Sequence, residues 1–169
     1  MPERWSIDIQ KEYFKFSAAH FLIFPDGTAE RLHGHNYRVF VSLDAALSRH
    51  GLVLDFKRVK PVIRALLDEL DEHWLVPGEH PALKVARRGD GTTEVRFGER
   101  YYAAPDEDVL VLPLNNISAE NLASFVGREL LARLRKRFDE VRILRLSCGV
   151  EETAGQRGVY AYAADAQSE

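Results

Sequence analysis

Leu32-His33-Gly34-His35-Asn36-Tyr37-Arg38-Val39-Phe40-Val41-Ser42-Leu43-Asp44-Ala45-Ala46-Leu47 is the stretch that decides how this chain folds. Its β-branched and aromatic content reads as one long strand. On a strand, residues i and i+2 leave the same face, so the imidazoles of His33 and His35 can reach one point. Upstream, Ile7 to His20 also reads as a strand, with Phe14, Phe16, Ala18 and His20 on one face. Between them, Phe21 to Arg31 carries Pro25-Asp26-Gly27, a turn signal. An antiparallel pair joined by that loop brings His20 towards His33 and His35. Three imidazoles aimed at one point make a metal site, because neutral rings so placed would otherwise hold nitrogen lone pairs without donors. Zinc is the natural occupant, with its fourth position left for water or substrate.

Working outward, Asp55 is a fair N-cap for a helix whose apolar stripe is Val59, Val62, Ile63, Leu66, Leu67 and Leu70. Pro61 is awkward in its interior, and a later start placing Pro61 in the first turn is the alternative. Leu75 to Pro81 reads as a loop. Leu83 to Arg88 and Thr92 to Phe97, joined through Gly89-Asp90-Gly91, read as a hairpin that Tyr101-Tyr102 and Val109 to Leu112 could extend. Ser118 caps a second helix with Glu120 in its first turn and Leu122, Phe125, Val126, Leu130 and Leu134 buried. Val141 to Val150 and Gly158 to Ala163 are the last strands, and the tail 164–169 is expected to be loose. The order predicts an α+β fold: a four-stranded antiparallel sheet with two helices on one face, plus a hairpin insertion at about 80–112. Residues 1–169 read as a single domain.

The 169 residues suffice for one real core. A formal charge of -3 gives no reason to expect nucleic-acid binding. The one cysteine, Cys148, allows no internal disulfide and no cysteine-rich zinc site, and it reads as a packed hydrophobe. Met1 to Gln10 lacks the apolar stretch of a signal peptide, and no apolar run approaches membrane-spanning length. A cytoplasmic chain is the expectation. His50 and His80 sit in turns and read as surface residues.

Six motifs occur in a family's order: Phe16-Ser17-Ala18-Ala19-His20, His33-Gly34-His35-Asn36-Tyr37, Gly51-x-Val53-x-Asp55-Phe56, Leu70-Asp71, Ser118-Ala119-Glu120-Asn121-Leu122 and Glu152-Thr153. Over roughly residues 5–162, outside the insertion, the chain resembles the 6-pyruvoyltetrahydropterin synthase / 6-carboxytetrahydropterin synthase family. The resemblance implies the tunnelling fold and zinc ligated by His20, His33 and His35. It also implies a pterin substrate such as 7,8-dihydroneopterin triphosphate, with Glu152 anchoring the ring and Glu120 near that pocket. Trimers stacked into a homohexamer, with active sites between subunits, are implied as well.

Two positions depart from the family. Its catalytic cysteine position, four residues before the first His of His-x-His, is Ala29 here. The next residue, Glu30, begins Glu30-Arg31-Leu32-His33, which resembles a variant branch whose glutamate cuts the pterin side chain to leave 6-hydroxymethyl-dihydropterin. In the family's Asp-His pair Asp71 is kept, but the His position holds Glu72, and His73 follows one residue later; a one-residue bulge would let His73 substitute. The candidate catalytic residues are therefore Glu30, Asp71 and His73. Two readings follow: a zinc-dependent lyase acting on the pterin triphosphate, or a zinc- and pterin- or purine-binding homo-oligomer that has lost synthase activity. A different substrate, suggested by Arg87, Arg88, Arg96 and Arg100 of the insertion, is a third, unless these arginines only solvate a hairpin.

Overall fold

The computed structural model describes residues 4–164, so the tail expected to be loose lies outside them apart from Ala164. The centre of the fold is β3 (His33–Ala45), whose residues from Tyr37 to Ala45 bury every second side chain. One edge of β3 pairs antiparallel with β9 (Ile143–Thr153). Its other edge is shared: β2 (Lys15–His20) takes the His33 half, and β1 (Trp5–Ile9) takes the Ala45 half. Ile7 to His20 is thus two strands. A turn at Lys11–Phe14, where Phe14 N–H donates to Lys11 O at 2.9 Å, separates them.

The sheet is larger than four strands and is not purely antiparallel. Its order is β10-β9-β3-β2-β4-β8, with β1 beside β3, where β10 is Gln156–Ala163, β4 is His73–Pro77 and β8 is Val109–Leu112. β4 pairs parallel with both β2 and β8. The first three residues of the loop expected over Leu75–Pro81 are therefore the end of β4, and 78–81 form the turn that follows. Val109–Leu112 does not extend the hairpin; it joins the large sheet as an edge strand parallel to β4, with Val109 and Leu112 buried and Val111 exposed. The insertion is a separate three-stranded sheet of β5 (Leu83–Arg87), β6 (Thr92–Phe97) and β7 (Arg100–Pro105). Its first turn is the expected one, with Gly91 at φ 84° and Asp90 Oδ1 accepting from Thr92 N–H at 3.1 Å.

Helix α1 spans Phe56–Asp68, and Asp55 Oδ1 accepts Lys57 N–H at 2.8 Å. Pro61 lies inside it, on the exposed side, rather than in the first turn. Helix α2 spans Ala119–Arg137, with Ser118 Oγ accepting Asn121 N–H at 3.2 Å and Arg135, Lys136 and Arg137 in the last turn, where the helix dipole favours cations. Val59, Ile63, Leu66 and Leu67 of α1 join Leu122, Val126, Leu130 and Leu134 of α2 in one core with Phe14, Phe16, Tyr37 and Leu43 of the sheet side. A second, smaller core joins Phe21, Ile23 and Trp74 to Leu83 and Val95 of the insertion. Among the described residues no helix is long and apolar enough to cross a membrane.

Candidate metal centre

The pairing of β2 with β3 sets His20 directly opposite His33, and Ala18 opposite His35. The three rings gather with centroids 4.8, 5.2 and 4.8 Å apart for His20–His33, His20–His35 and His33–His35. Backbone carbonyls orient two of them. His20 Nδ1 lies 2.8 Å from Ile117 O, and His33 Nδ1 lies 2.7 Å from Arg31 O. A carbonyl only accepts, so each Nδ1 carries the proton and each Nε2 is left as a lone pair.

β9 supplies a fourth donor. Glu152 Oε1 lies 3.1 Å from His20 Nε2 and 2.9 Å from His35 Nε2. The ligand atoms of His20, His33, His35 and Glu152 all lie within 4.8 Å of one another. His20 is 1% exposed, and among the described residues the buried Nε2 atoms of His20 and His35 have no hydrogen-bond partner. Acceptor lone pairs facing a carboxylate need a cation between them. Burial pushes the His20 pKa down, against the opposing pull of Ile117 O and the Glu152 charge, so a proton is a poor candidate. A divalent metal ion fits: three imidazoles and one carboxylate form a nitrogen-oxygen set that suits zinc. The place of Glu152 among the histidines was not legible in the sequence, since it depends on β9 lying beside β3. Its neighbour Glu151 turns the other way, buried and held by Arg157 at 3.1 Å.

Glu30 is close to this cluster. Its Oε2 lies 3.9 Å from His33 Nε2 and accepts Leu22 N–H at 3.1 Å. Ala29 stands where the thiol was absent from the sequence, and Cys148 is wholly buried in β9, where burial pushes its thiol up to about 12. Asp71 and His73 do not form a side-chain pair. Asp71 Oδ1 accepts Ser17 N–H at 2.6 Å, and His73 Nδ1 bonds the backbone O of Asp71 at 2.7 Å. Between them Glu72 has φ 58°, the left-handed region, and its N–H donates to Ser17 O at 2.7 Å. This local excursion sets His73 opposite Ala18 at the start of β4. His73 borders a cleft of about 670 Å³ together with His35, Ser17, Asn36, Trp74 and Asp108. Among the described residues it makes no contact with His20, His33 or Glu152 that would count as a hydrogen bond or ion pair. Glu120 is exposed in the first turn of α2 and likewise makes none. Tyr37, between the rings of His20 and His35 at 5.8 and 5.6 Å, is buried, and burial with the Glu152 and Glu30 charges raises its hydroxyl far above the ordinary range.

A family model described as 6-pyruvoyl tetrahydropterin synthase matches residues 8–161. A Methanocaldococcus jannaschii protein with the provisional name 6-carboxy-5,6,7,8-tetrahydropterin synthase is 33% identical over 150 residues, which is 86% of this chain and 88% of that protein. The Plasmodium falciparum 6-pyruvoyl tetrahydropterin synthase superposes with TM-score 0.87 at 23% identity, over 96% of this chain and 100% of that one. The Plasmodium vivax 6-pyruvoyltetrahydropterin synthase carrying a glutamate-to-alanine change, described as a catalytic residue mutant, superposes with TM-score 0.87 at 22% identity over the same shares.

Proposed function

The chain belongs to the 6-pyruvoyl tetrahydropterin synthase family, and on that premise we propose that it is a zinc-dependent lyase that converts 7,8-dihydroneopterin triphosphate to 6-hydroxymethyl-dihydropterin. The observation that carries this reading is Glu30, a carboxylate 3.9 Å from His33 Nε2 in a chain whose single thiol is buried elsewhere. His20, His33 and His35 would hold the zinc, leaving a position for the substrate, and Glu152 lies against the same donor set. When bound, zinc supplies a Lewis acid that lowers the pKa of a side-chain hydroxyl. Glu30 would then take the proton of the hydroxyl next to the bond to be cut. That carbon-carbon bond breaks in a retro-aldol sense, the hydroxyl carbon leaves as an aldehyde carrying the triphosphate, and the ring-side carbon, whose electron pair the conjugated pterin ring takes up, is reprotonated to give the hydroxymethyl group. Glu152 can accept two adjacent ring N–H groups of a pterin in parallel, which requires it to turn from the histidines. Asp71 is committed to Ser17 N–H and braces the β2–β4 edge, whereas His73 keeps an acceptor nitrogen for proton transfer.

On the same premise the working assembly is a cytoplasmic homohexamer with sites between subunits, which would let His73 and Glu120 serve a site shared with a neighbouring chain. A Plasmodium vivax protein of the same fold has a catalytic glutamate, in keeping with a carboxylate base. The test is incubation with 7,8-dihydroneopterin triphosphate and product identification by chromatography, for the wild type and for Glu30→Ala and Glu30→Gln. Wild-type product with loss of turnover by at least about a hundredfold in both variants, zinc retained, supports the proposal. Unchanged turnover removes Glu30 from the chemistry. Tight binding without conversion by the wild type points to the other reading, a zinc- and pterin-binding homo-oligomer, which the missing thiol favours.

A further inference from the structure

The three-stranded insertion is tied to the loop that carries Glu30 at both ends of that loop. At its start, Phe21 stacks on Tyr102 of β7, with ring centroids 5.6 Å apart. At its end, the Arg100 guanidinium donates to two successive backbone carbonyls: Nη2 to Ala29 O at 2.8 Å, and Nη1 to Glu30 O. Arg100 and Tyr102 are two apart on β7 and so leave the same face of the strand. The loop itself is a narrow hairpin. Ile23 pairs with Ala29, Glu30 N–H donates to Leu22 O at 2.9 Å, and Asn116 grips Ile23 through both its N–H and its carbonyl. Two other arginines of the insertion stay within it. Arg96 lies over Tyr101 and Arg88 pairs with Glu94 at 3.3 Å, both within the insertion. Arg100 alone of the four reaches out of it to the catalytic loop.

We propose that Arg100 is a positioning residue for Glu30, so that the insertion acts as a brace that fixes the candidate base against His33. The inference rests on the reading of Glu30 as the base, but its first consequence does not. Two charge-assisted bonds from one planar fork hold the Ala29–Glu30 peptide in place, and a point cation cannot reproduce both geometries. Without them the carbonyls of Ala29 and Glu30 lose their only protein partners among the described residues, and the loop is free to fray. A displacement of the order of 1 Å at a reacting group can cost about a hundredfold in rate.

The experiment uses the zinc-loaded full chain as wild type, Arg100→Ala, Arg100→Lys and the control Arg96→Ala. Hydrogen–deuterium exchange is read first. Arg100→Ala should speed exchange of the Leu22 and Glu30 amides by about tenfold or more, with β2, β3 and zinc content unchanged, and Arg96→Ala should not. Turnover of 7,8-dihydroneopterin triphosphate is read second. Arg100→Ala should lower kcat by about ten- to a hundredfold with KM within about threefold, and Arg100→Lys should recover part of the loss. Wild-type exchange in the loop of Arg100→Ala overturns the proposal. So does a kcat loss matched by zinc loss, which marks a general structural defect. If Glu30→Ala is inactive while Arg100→Ala matches the wild type in kcat, the brace fails and the base stands. If Glu30→Ala retains full turnover while Arg100→Ala still speeds exchange in the loop, the base assignment fails and the brace stands.

Discussion

Gly158 offers the sharpest test of how the fold holds the site. It sits on β10 beneath the start of α2, and a Cβ there would fall 2.4 Å from Glu120 N, 2.5 Å from Ala119 C and 2.6 Å from Ala119 O. These are backbone atoms of a helix start, so no side chain can rotate away. Relief requires α2 and β10 to separate by about 1 Å, and overpacking of this kind costs about 1–3 kcal/mol, with this site at the upper end. For a chain of this length, 2–3 kcal/mol corresponds to a Tm lower by about 4–12 °C. The same displacement carries Ser118 and Ile117 with it, and Ile117 O is the group that orients His20. Loss of such an outer partner weakens metal binding by about ten- to a hundredfold. The assay is thermal unfolding of Gly158→Ala beside two controls, with zinc affinity read by competition against a chromophoric chelator. Gly127→Ala would meet the Tyr160 ring at 2.3 Å, a side chain that can turn, and should lose less; Gly89→Ala, with nothing within 4 Å, should lose almost nothing. A Gly158→Ala melting within about 1 °C of the Gly89→Ala control would refute the reasoning.

Two further outcomes follow from burial. In metal-free protein, the His20 pKa lies below its ordinary 6.5 because burial disfavours the charged ring. The unfolded chain then binds the proton first, so the stability from neutral His20 is fully present above pH 6.5 and declines as pH falls through 6.5 towards the lower folded value; urea titrations between pH 5 and 8 on wild type and His20→Gln check the sign, and a wild type that gains stability relative to the variant on acidification would contradict it. Cys148, pushed up to about 12 by complete burial, should fail to react with a thiol reagent at pH 8 in folded protein and react at once after denaturation.

The strand that carries His33 and His35 was legible because its two-residue period is local, and the turn at Pro25-Asp26-Gly27 announced the return that places His20 across from them. Asp55 and Ser118 were legible as caps for the same local reason. What the sequence did not show is what depends on non-local pairing. The parallel neighbours β4 and β8 have no connecting turn to announce them, and Pro77-Gly78 disguised the end of β4 as a loop. Glu152 joins the histidines only because β9 lies against β3, and Arg100 reaches Glu30 across 70 residues of chain. Glu72, with φ 58°, lies in the turn ahead of β4 rather than in a bulge of a strand pair, and the engagement of Asp71 with Ser17 rather than with His73 is a tertiary fact.

The most direct measurement is elemental analysis of protein purified without added metal, together with His20→Ala, His33→Ala and His35→Ala. The account predicts about one equivalent of zinc per chain in the wild type and a large loss in each variant. A wild type without a divalent ion after zinc-replete expression, or a metal content unaltered by all three substitutions, would contradict it.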